Sequence, residues 1–279
     1  MSGGFLAEMA ATSSARLRVA RQRLPEAALE RRLHGLPPPP PLRLSGFDLL
    51  AELKLRSPAA GPLAASAGLL RERVMAYAQA GAAAVSVLTE PTRFDGALEH
   101  LSEAAAILTP LGVPALRKDF LVDPYQVLEA RAAGAGGVLL IVRMLSGTQL
   151  EALLSCARAH GLFVLLEAFD ATDIERLHAL LPAAAAGAPL LAGLNCRDLS
   201  SLEVVPQRLL ELAPLLPKSV PCVAESGVAS AADARRVAEA GYQMILVGSA
   251  LMRGSHPAAL ARTLLEAGRS ARGASQKCG

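Results

Sequence analysis

The chain has no tryptophan, three tyrosines and six phenylalanines in 279 residues. So few planar side chains leave little to stack on bases. The 28 lysines and arginines are dispersed among 25 acidic residues, for a net charge of +3. Nucleic acid is therefore not an expected partner, although a local positive field could still hold a small anion. Apolar residues make up 52% of the chain. No uninterrupted apolar run reaches the roughly 18 to 20 residues a spanning helix needs, so the chain reads as soluble, with no membrane partner. The four cysteines, Cys156, Cys196, Cys222 and Cys278, have no CxxC spacing and no nearby His pair. That argues against a disulfide framework or a zinc site, and Cys196 and Cys222 read as small apolar residues in or beside buried strands.

The N-terminal region has its own composition. From Ala10 to Pro25 it carries Arg and Ser but no acid, weakly like an organelle transit peptide, and it lacks the apolar core of a secretory signal. An amphipathic helix using Leu17 and Leu24 is the simpler reading. Pro37 to Pro41 cannot propagate a helix and predict an extended polyproline spacer. The expectation is a helical element held away from the main body by a stiff link.

What the rest of the chain does have is a recurrence, in which short apolar runs end in charged or polar side chains. Eight runs stand out: Phe47 to Leu53, Ala83 to Leu88, Val113 to Leu116, Gly137 to Val142, Leu162 to Leu166, Leu190 to Leu194, Val220 to Ala224 and Met244 to Val247. Between them lie Ala-, Leu-, Glu- and Arg-rich stretches of helical period. Gly81, Gly134, Gly161 and Gly241 stand where those helices should end. Such alternation predicts an α/β fold, a single (β/α)8 TIM barrel with an N-terminal helical extension. The competitor is a doubly wound open sheet, which usually has fewer strands, and no Gly-rich fingerprint follows the first run. The expected layout is an N-terminal extension and Pro-rich spacer over residues 1–46, a barrel over 47–268 and a flexible tail over 269–279.

In a closed parallel barrel the C-terminal strand ends open onto one face. Period-two alternation puts Glu52 and Lys54 on the inner side of the first strand, as a catalytic pair or a structural ion pair. Lys118 ends the third run near the barrel axis, where desolvation would lower its pKa; it reads as a general acid or as a solvated loop lysine. Glu167 ends five apolar residues, so burial should raise its pKa unless a cation lies close. Asn195 and Arg197 fall on one side of a strand and could fix a carboxylate or hydroxyl. Glu225-Ser226-Gly227 and Gly248-Ser249 follow runs seven and eight, where barrels often cradle phosphate. Ser57-Pro58 opens a loop through Gly61 suited to a lid.

With these residues in view, the chain resembles the indole-3-glycerol phosphate synthase family. The resemblance rests on Ala51-Glu52-Leu53-Lys54 with Ser57-Pro58, Ser86 to Glu90 with Phe94 and Gly96, Leu116 to Phe120 with Tyr125-Gln126, Leu166-Glu167, Asn195 to Leu199, Glu225 to Gly227 and Val247 to Arg253. It implies a barrel enzyme of tryptophan biosynthesis that closes 1-(2-carboxyphenylamino)-1-deoxyribulose 5-phosphate to indole-3-glycerol phosphate, losing carbon dioxide and water. It implies no cofactor and no metal, a cytoplasmic location, a monomer or weak homo-oligomer, and other enzymes of the pathway as partners. By position, Lys118 would be the general acid, Lys54 would hold the carboxylate and assist dehydration, and Glu167 would move protons. Glu52, Asn195, Arg197 and Glu225 would orient hydroxyls and lysines. Ser57 would lie near the carboxylate, Phe94 and Phe120 would flank the aromatic ring, Leu199 would join the substrate pocket, and Ser226, Gly227, Gly248 and Ser249 would take the phosphate. The family's N-terminal segment covers the barrel mouth. This chain departs from the common pattern with Ala59-Ala60 in the first loop and Gly136 in place of a usual Asp. The rivals are a barrel of the phosphoribosylanthranilate isomerase type, which would need a cysteine or aspartate acid/base pair, and a barrel that binds without catalysing.

Overall fold

The structure is a computed structural model and describes residues 4–57, 61–62, 67–184, 189–199 and 201–275. Eight strands form the centre: β1 (Asp48–Leu53), β2 (Ala84–Leu88), β3 (Ala115–Lys118), β4 (Gly137–Ile141), β5 (Phe163–Ala168), β6 (Leu190–Asn195), β7 (Cys222–Glu225) and β8 (Met244–Val247). Each is parallel to its neighbours, and the pairing Asp48↔Met244 closes β8 onto β1. The expected (β/α)8 barrel is what forms. The expected runs match these strands to within a residue or two, with one systematic difference. The polar stops sit inside the strands: Lys118, Asn195 and Glu225 are the last residues of β3, β6 and β7. They belong to the rigid sheet instead of the loops beyond it.

Alternation explains which side chains point inward. In β1, Leu49, Ala51 and Leu53 pack in the shell between strands and helices, while Leu50 packs inside the barrel. In β5, Val164, Leu166 and Ala168 face the helices, and Phe163 and Leu165 face the axis. Glu52 and Glu167 therefore continue the inward rows. The four glycines expected at helix ends all take the left-handed backbone there, with φ of +91, +86, +69 and +108 at Gly81, Gly134, Gly161 and Gly241.

Helix α1 (Phe5–Arg23) and helix α2 (Glu26–Leu33) precede the barrel. Contrary to the sequence expectation, they are not held away from it. Met9 is fully buried among the inner barrel residues, and Leu17 and Leu29 pack on Tyr125 and Leu128. Most of a helix's stability in a folded protein comes from packing its buried face, and each such buried side chain contributes about 1.5–3 kcal/mol. Polar bonds fix its setting: Arg16 donates to both oxygens of Asp119 at 2.7 and 3.0 Å, Gln126 donates to Ser13 at 2.9 Å, and the Tyr125 hydroxyl donates to the carbonyls of Ala20 and Leu24. The proline link forms neither helix nor strand and lies against the barrel wall: Arg131 donates to the Pro37 carbonyl at 2.5 Å. At Gly136 an added Cβ would stand 2.6 Å from Pro114 and 3.1 Å from the Pro40 carbonyl. The missing side chain thus admits the spacer.

At the other end, the tail expected from residue 269 begins inside a helix, Pro257–Ser275. Arg269 and Arg272 donate from it to the carbonyls of Phe47 and Tyr242, which anchors this part of the chain; residues 276–279 of the expected tail lie outside the described residues. Cys196 and Cys222 are buried free thiols, and burial pushes them up to about 11 and about 12. Cys278 is outside the described residues. Among the described residues no helix is long and apolar enough to cross a membrane.

Candidate active site

The C-terminal strand ends surround a cavity of about 320 Å³. Lys54, Glu52, Lys118, Glu167, Asn195, Phe94, Phe120, Arg197, Leu199, Glu225, Ser226, Gly227, Gly248 and Ser249 all line it. The backbone of Ser57 forms a short antiparallel pair with Gly61; its side chain, and Pro58 to Ala60 in the body of the expected lid, lie outside what the structure describes.

The polar floor is a hydrogen-bonded cluster around Lys118 with a second ion pair beside it. Lys118 Nζ donates to Glu167 Oε1 at 3.1 Å and to Glu225 Oε2 at 3.2 Å, and Asn195 Nδ2 donates to the same Glu167 oxygen at 2.8 Å. Asn195 in turn accepts from the backbone N–H of Arg197 at 3.1 Å, while the Arg197 guanidinium donates to the Leu202 carbonyl at 2.7 Å. Glu52 and Lys54 pair at 2.5 Å.

These contacts reverse the expectation for Lys118. Burial opposes its charge, but Glu167, Glu225 and Glu52 outweigh that and hold the ammonium well above the ordinary lysine range. The magnitudes make this reasonable: at an effective dielectric of about 20, each carboxylate near 3 Å offers on the order of 5 kcal/mol of attraction, against several kcal/mol of desolvation. The carboxyl pushed upward is Glu225. Burial is the main cause, and the charge and hydrogen bond of Glu167 add to it against the pull of Lys118. Burial likewise opposes ionisation of Glu52, yet Lys54 and Lys118 bring it below the usual range. The site therefore holds, in one buried group, an ammonium favoured in its charged form and two carboxyl groups, Glu52 and Glu225, whose proton affinities are pushed in opposite directions.

Local structure sets the aromatic wall. Glu90, fully buried, accepts from the N–H groups of Thr92 and Arg93 at 2.9 and 2.7 Å and caps the short helix Pro91–Phe94. That helix delivers Phe94, whose ring centroid lies 6.3 Å from that of Phe120. Phe5, from α1, meets Phe120 edge-on at 5.8 Å, and Phe5 and Leu6 line the cavity. Sequence reasoning does not single out Phe5 or Leu6, whose approach depends on docking of the N-terminal helix, nor Phe169, another lining residue, which directly follows β5. Asp119 also lines the cavity. Burial alone would raise its carboxyl, but Arg16, Arg117 and Thr89 hold it well below the carboxylate range.

Ser226, with φ of +65, and Gly227, with φ of +73, turn the chain sharply after β7, and Gly248 and the start of the helix Ser249–Arg253 lie beside them on the cavity wall. A Cβ on Gly248 would stand 2.1 Å from Glu52 Oε1 and 3.0 Å from Lys54 Nζ. The small-residue end of the cavity therefore abuts the Glu52–Lys54 pair.

Solved structures share this barrel. Among solved structures, 3-hexulose-6-phosphate synthase from Salmonella typhimurium superposes with a TM-score of 0.60 at 15% identity, covering 81% of this chain and 100% of that one. Tryptophan synthase from M. tuberculosis gives a TM-score of 0.58 at 17% identity, covering 80% and 93%. At such identities these matches report the fold alone. Sequence relatives are much nearer. The indole-3-glycerol phosphate synthase of Parafrankia sp. is 43% identical over 87% of this chain and 88% of its own length. That of Mycolicibacterium smegmatis is 40% identical over 86% of each. The multifunctional tryptophan biosynthesis protein of Schizosaccharomyces pombe is 42% identical over 80% of this chain and 29% of its own length. The family model described as indole-3-glycerol phosphate synthase matches residues 22–264, so that strand ends, buried lysines and barrel all fall within one match, and the chain belongs to the indole-3-glycerol phosphate synthase family.

Proposed function

We propose that this chain is an indole-3-glycerol-phosphate synthase, a carboxy-lyase of tryptophan biosynthesis, and that the buried Lys118–Glu167–Glu225 cluster is its proton-transfer centre. The observation that carries this reading is the geometry of Lys118, an ammonium kept charged between two carboxyl groups at the floor of a cavity that is apolar on one side and lined by small residues on another.

In this reading the aryl ring of 1-(2-carboxyphenylamino)-1-deoxyribulose 5-phosphate packs between Phe94 and Phe120, beside Leu199. The phosphate sits against Ser226, Gly227, Gly248 and Ser249. Lys118 gives a proton to the ketone oxygen as the ring carbon bearing the carboxylate bonds to the carbonyl carbon. The carboxylate leaves as carbon dioxide and its bonding pair returns to the ring. The new hydroxyl then takes a proton and leaves as water, pushed by the ring nitrogen, and the methylene beside nitrogen loses a proton to complete the indole. Glu167 faces both the cation and that proton transfer. Lys54 holds the carboxylate and assists dehydration, with Ser57 nearby. Glu52, Asn195, Arg197 and Glu225 orient the hydroxyls and the lysines. The reading carries a cytoplasmic location, a phosphorylated small-molecule substrate, a monomer or weak homo-oligomer, and other tryptophan-pathway enzymes as partners.

Stoichiometry tests it. Purified protein given this substrate should release carbon dioxide and form indole product in equal amounts. Substrate consumed with its carboxylate retained would point to an isomerase instead, and substrate bound without any reaction would point to a binding protein.

A further inference from the structure

Phe169 follows β5 directly and continues the inward row of Phe163, Leu165 and Glu167. It stands one inward position beyond Glu167, toward the mouth of the barrel. Its side chain is 3% exposed and lines the cavity.

The ring is held from behind. Its backbone N–H donates to Asp173 Oδ2 at 2.9 Å, and Arg143 Nε donates to the same oxygen at 2.6 Å. The guanidinium lies over the Phe169 ring, 5.1 Å from its centroid, and also bonds Asp170. Asp170 accepts from the Asp173 N–H at 3.0 Å, so the clamp is built into the start of the following helix. One face of the ring is occupied by the cation, which leaves the remainder for a ligand. Phe94 and Phe120 reach the cavity from the ends of β2 and β3, whereas Phe169 comes from β5, two strands farther round the barrel.

We propose that Phe169 is a specificity-determining residue for the aryl group of an N-aryl aminodeoxyketose phosphate, with Arg143 as the residue that positions it. The inference rests on the synthase reading and names a wall of its substrate pocket. A ring already immobilised by Arg143 and Asp173 loses little freedom when the aryl group packs against it. Its place next to Glu167 also keeps water from the proton-transfer cluster on that side.

Binding of the carboxyphenylamino substrate, followed by the fluorescence of its aryl group, tests the proposal without requiring turnover. Phe169→Ala should weaken substrate affinity about tenfold, and Phe169→Leu, which keeps apolar bulk and protects the fold, by less. Competitive binding of inorganic phosphate should be unchanged in both. Arg143→Ala should weaken substrate affinity in the same direction, and Arg143→Lys should restore part of it. Affinity within about twofold of wild type in both Phe169 variants would overturn the proposal, as would a parallel loss of phosphate binding. If wild type binds the substrate but makes no indole product, the synthase reading fails while the affinity ratios still decide the role of Phe169.

Discussion

A Cβ added to Gly193 would stand 2.1 Å from Oε1 of Glu225. Gly193 lies in the middle of β6, where glycine ordinarily weakens a strand, and here the missing side chain is what lets the Glu225 carboxyl lie inside the barrel beside Lys118. Gly193→Ala should therefore displace Glu225, cost about 1–3 kcal/mol of stability as overpacking does, and lower turnover at least about tenfold through the lost Lys118 contact. Urea unfolding together with steady-state kinetics checks this, and full turnover in the variant would contradict it.

Gly248 bears the same relation to Glu52 and Lys54 at the small-residue end of the cavity. Gly248→Ala should weaken competitive inhibition by inorganic phosphate about tenfold while disturbing the Glu52–Lys54 pair. Unchanged phosphate inhibition would remove Gly248 from the phosphate site.

Asp119 ties the N-terminal helix to the strand that carries Lys118. Its side chain is fully buried, and breaking such a pair typically costs about 3–5 kcal/mol. Because its pKa in the fold lies below the unfolded value of about 3.9, its stabilisation is present above that pH and is lost as pH falls further through the folded value. Asp119→Asn should therefore be much less stable than wild type at pH 7, with the gap narrowing only below about pH 4. Urea titrations at the two pH values measure it, and equal stability at pH 7 would contradict the assignment.

The barrel was legible because every strand announced itself as an apolar run, and four of them a second time through a glycine that ends the helix before. The polar residues of the site were legible for a related reason: a charged or amide side chain at the end of a buried strand is costly without a partner, and fourteen of the residues singled out line one cavity. What could not be read locally depended on contacts distant in sequence. Arg16 meets Asp119 across 103 residues, so the docked setting of the N-terminal helices, and with it Phe5 and Leu6 on the cavity wall, had no local signature. The direction of the Lys118 shift failed for the same reason. Desolvation is a property of a strand end, whereas the carboxylates that outweigh it come from β1, β5 and β7. Gly193 looked like one more apolar residue in a run until the side chain of its neighbour on β7 was in place.

The central claim is that Lys118 supplies the proton for ring closure, and the most direct measurement is the growth of indole fluorescence with wild type and Lys118→Ala at saturating substrate. Wild type should form product steadily, and the variant should bind substrate yet turn over at least about a hundredfold more slowly, as loss of a general acid requires. A variant that forms indole at the wild-type rate would contradict the account.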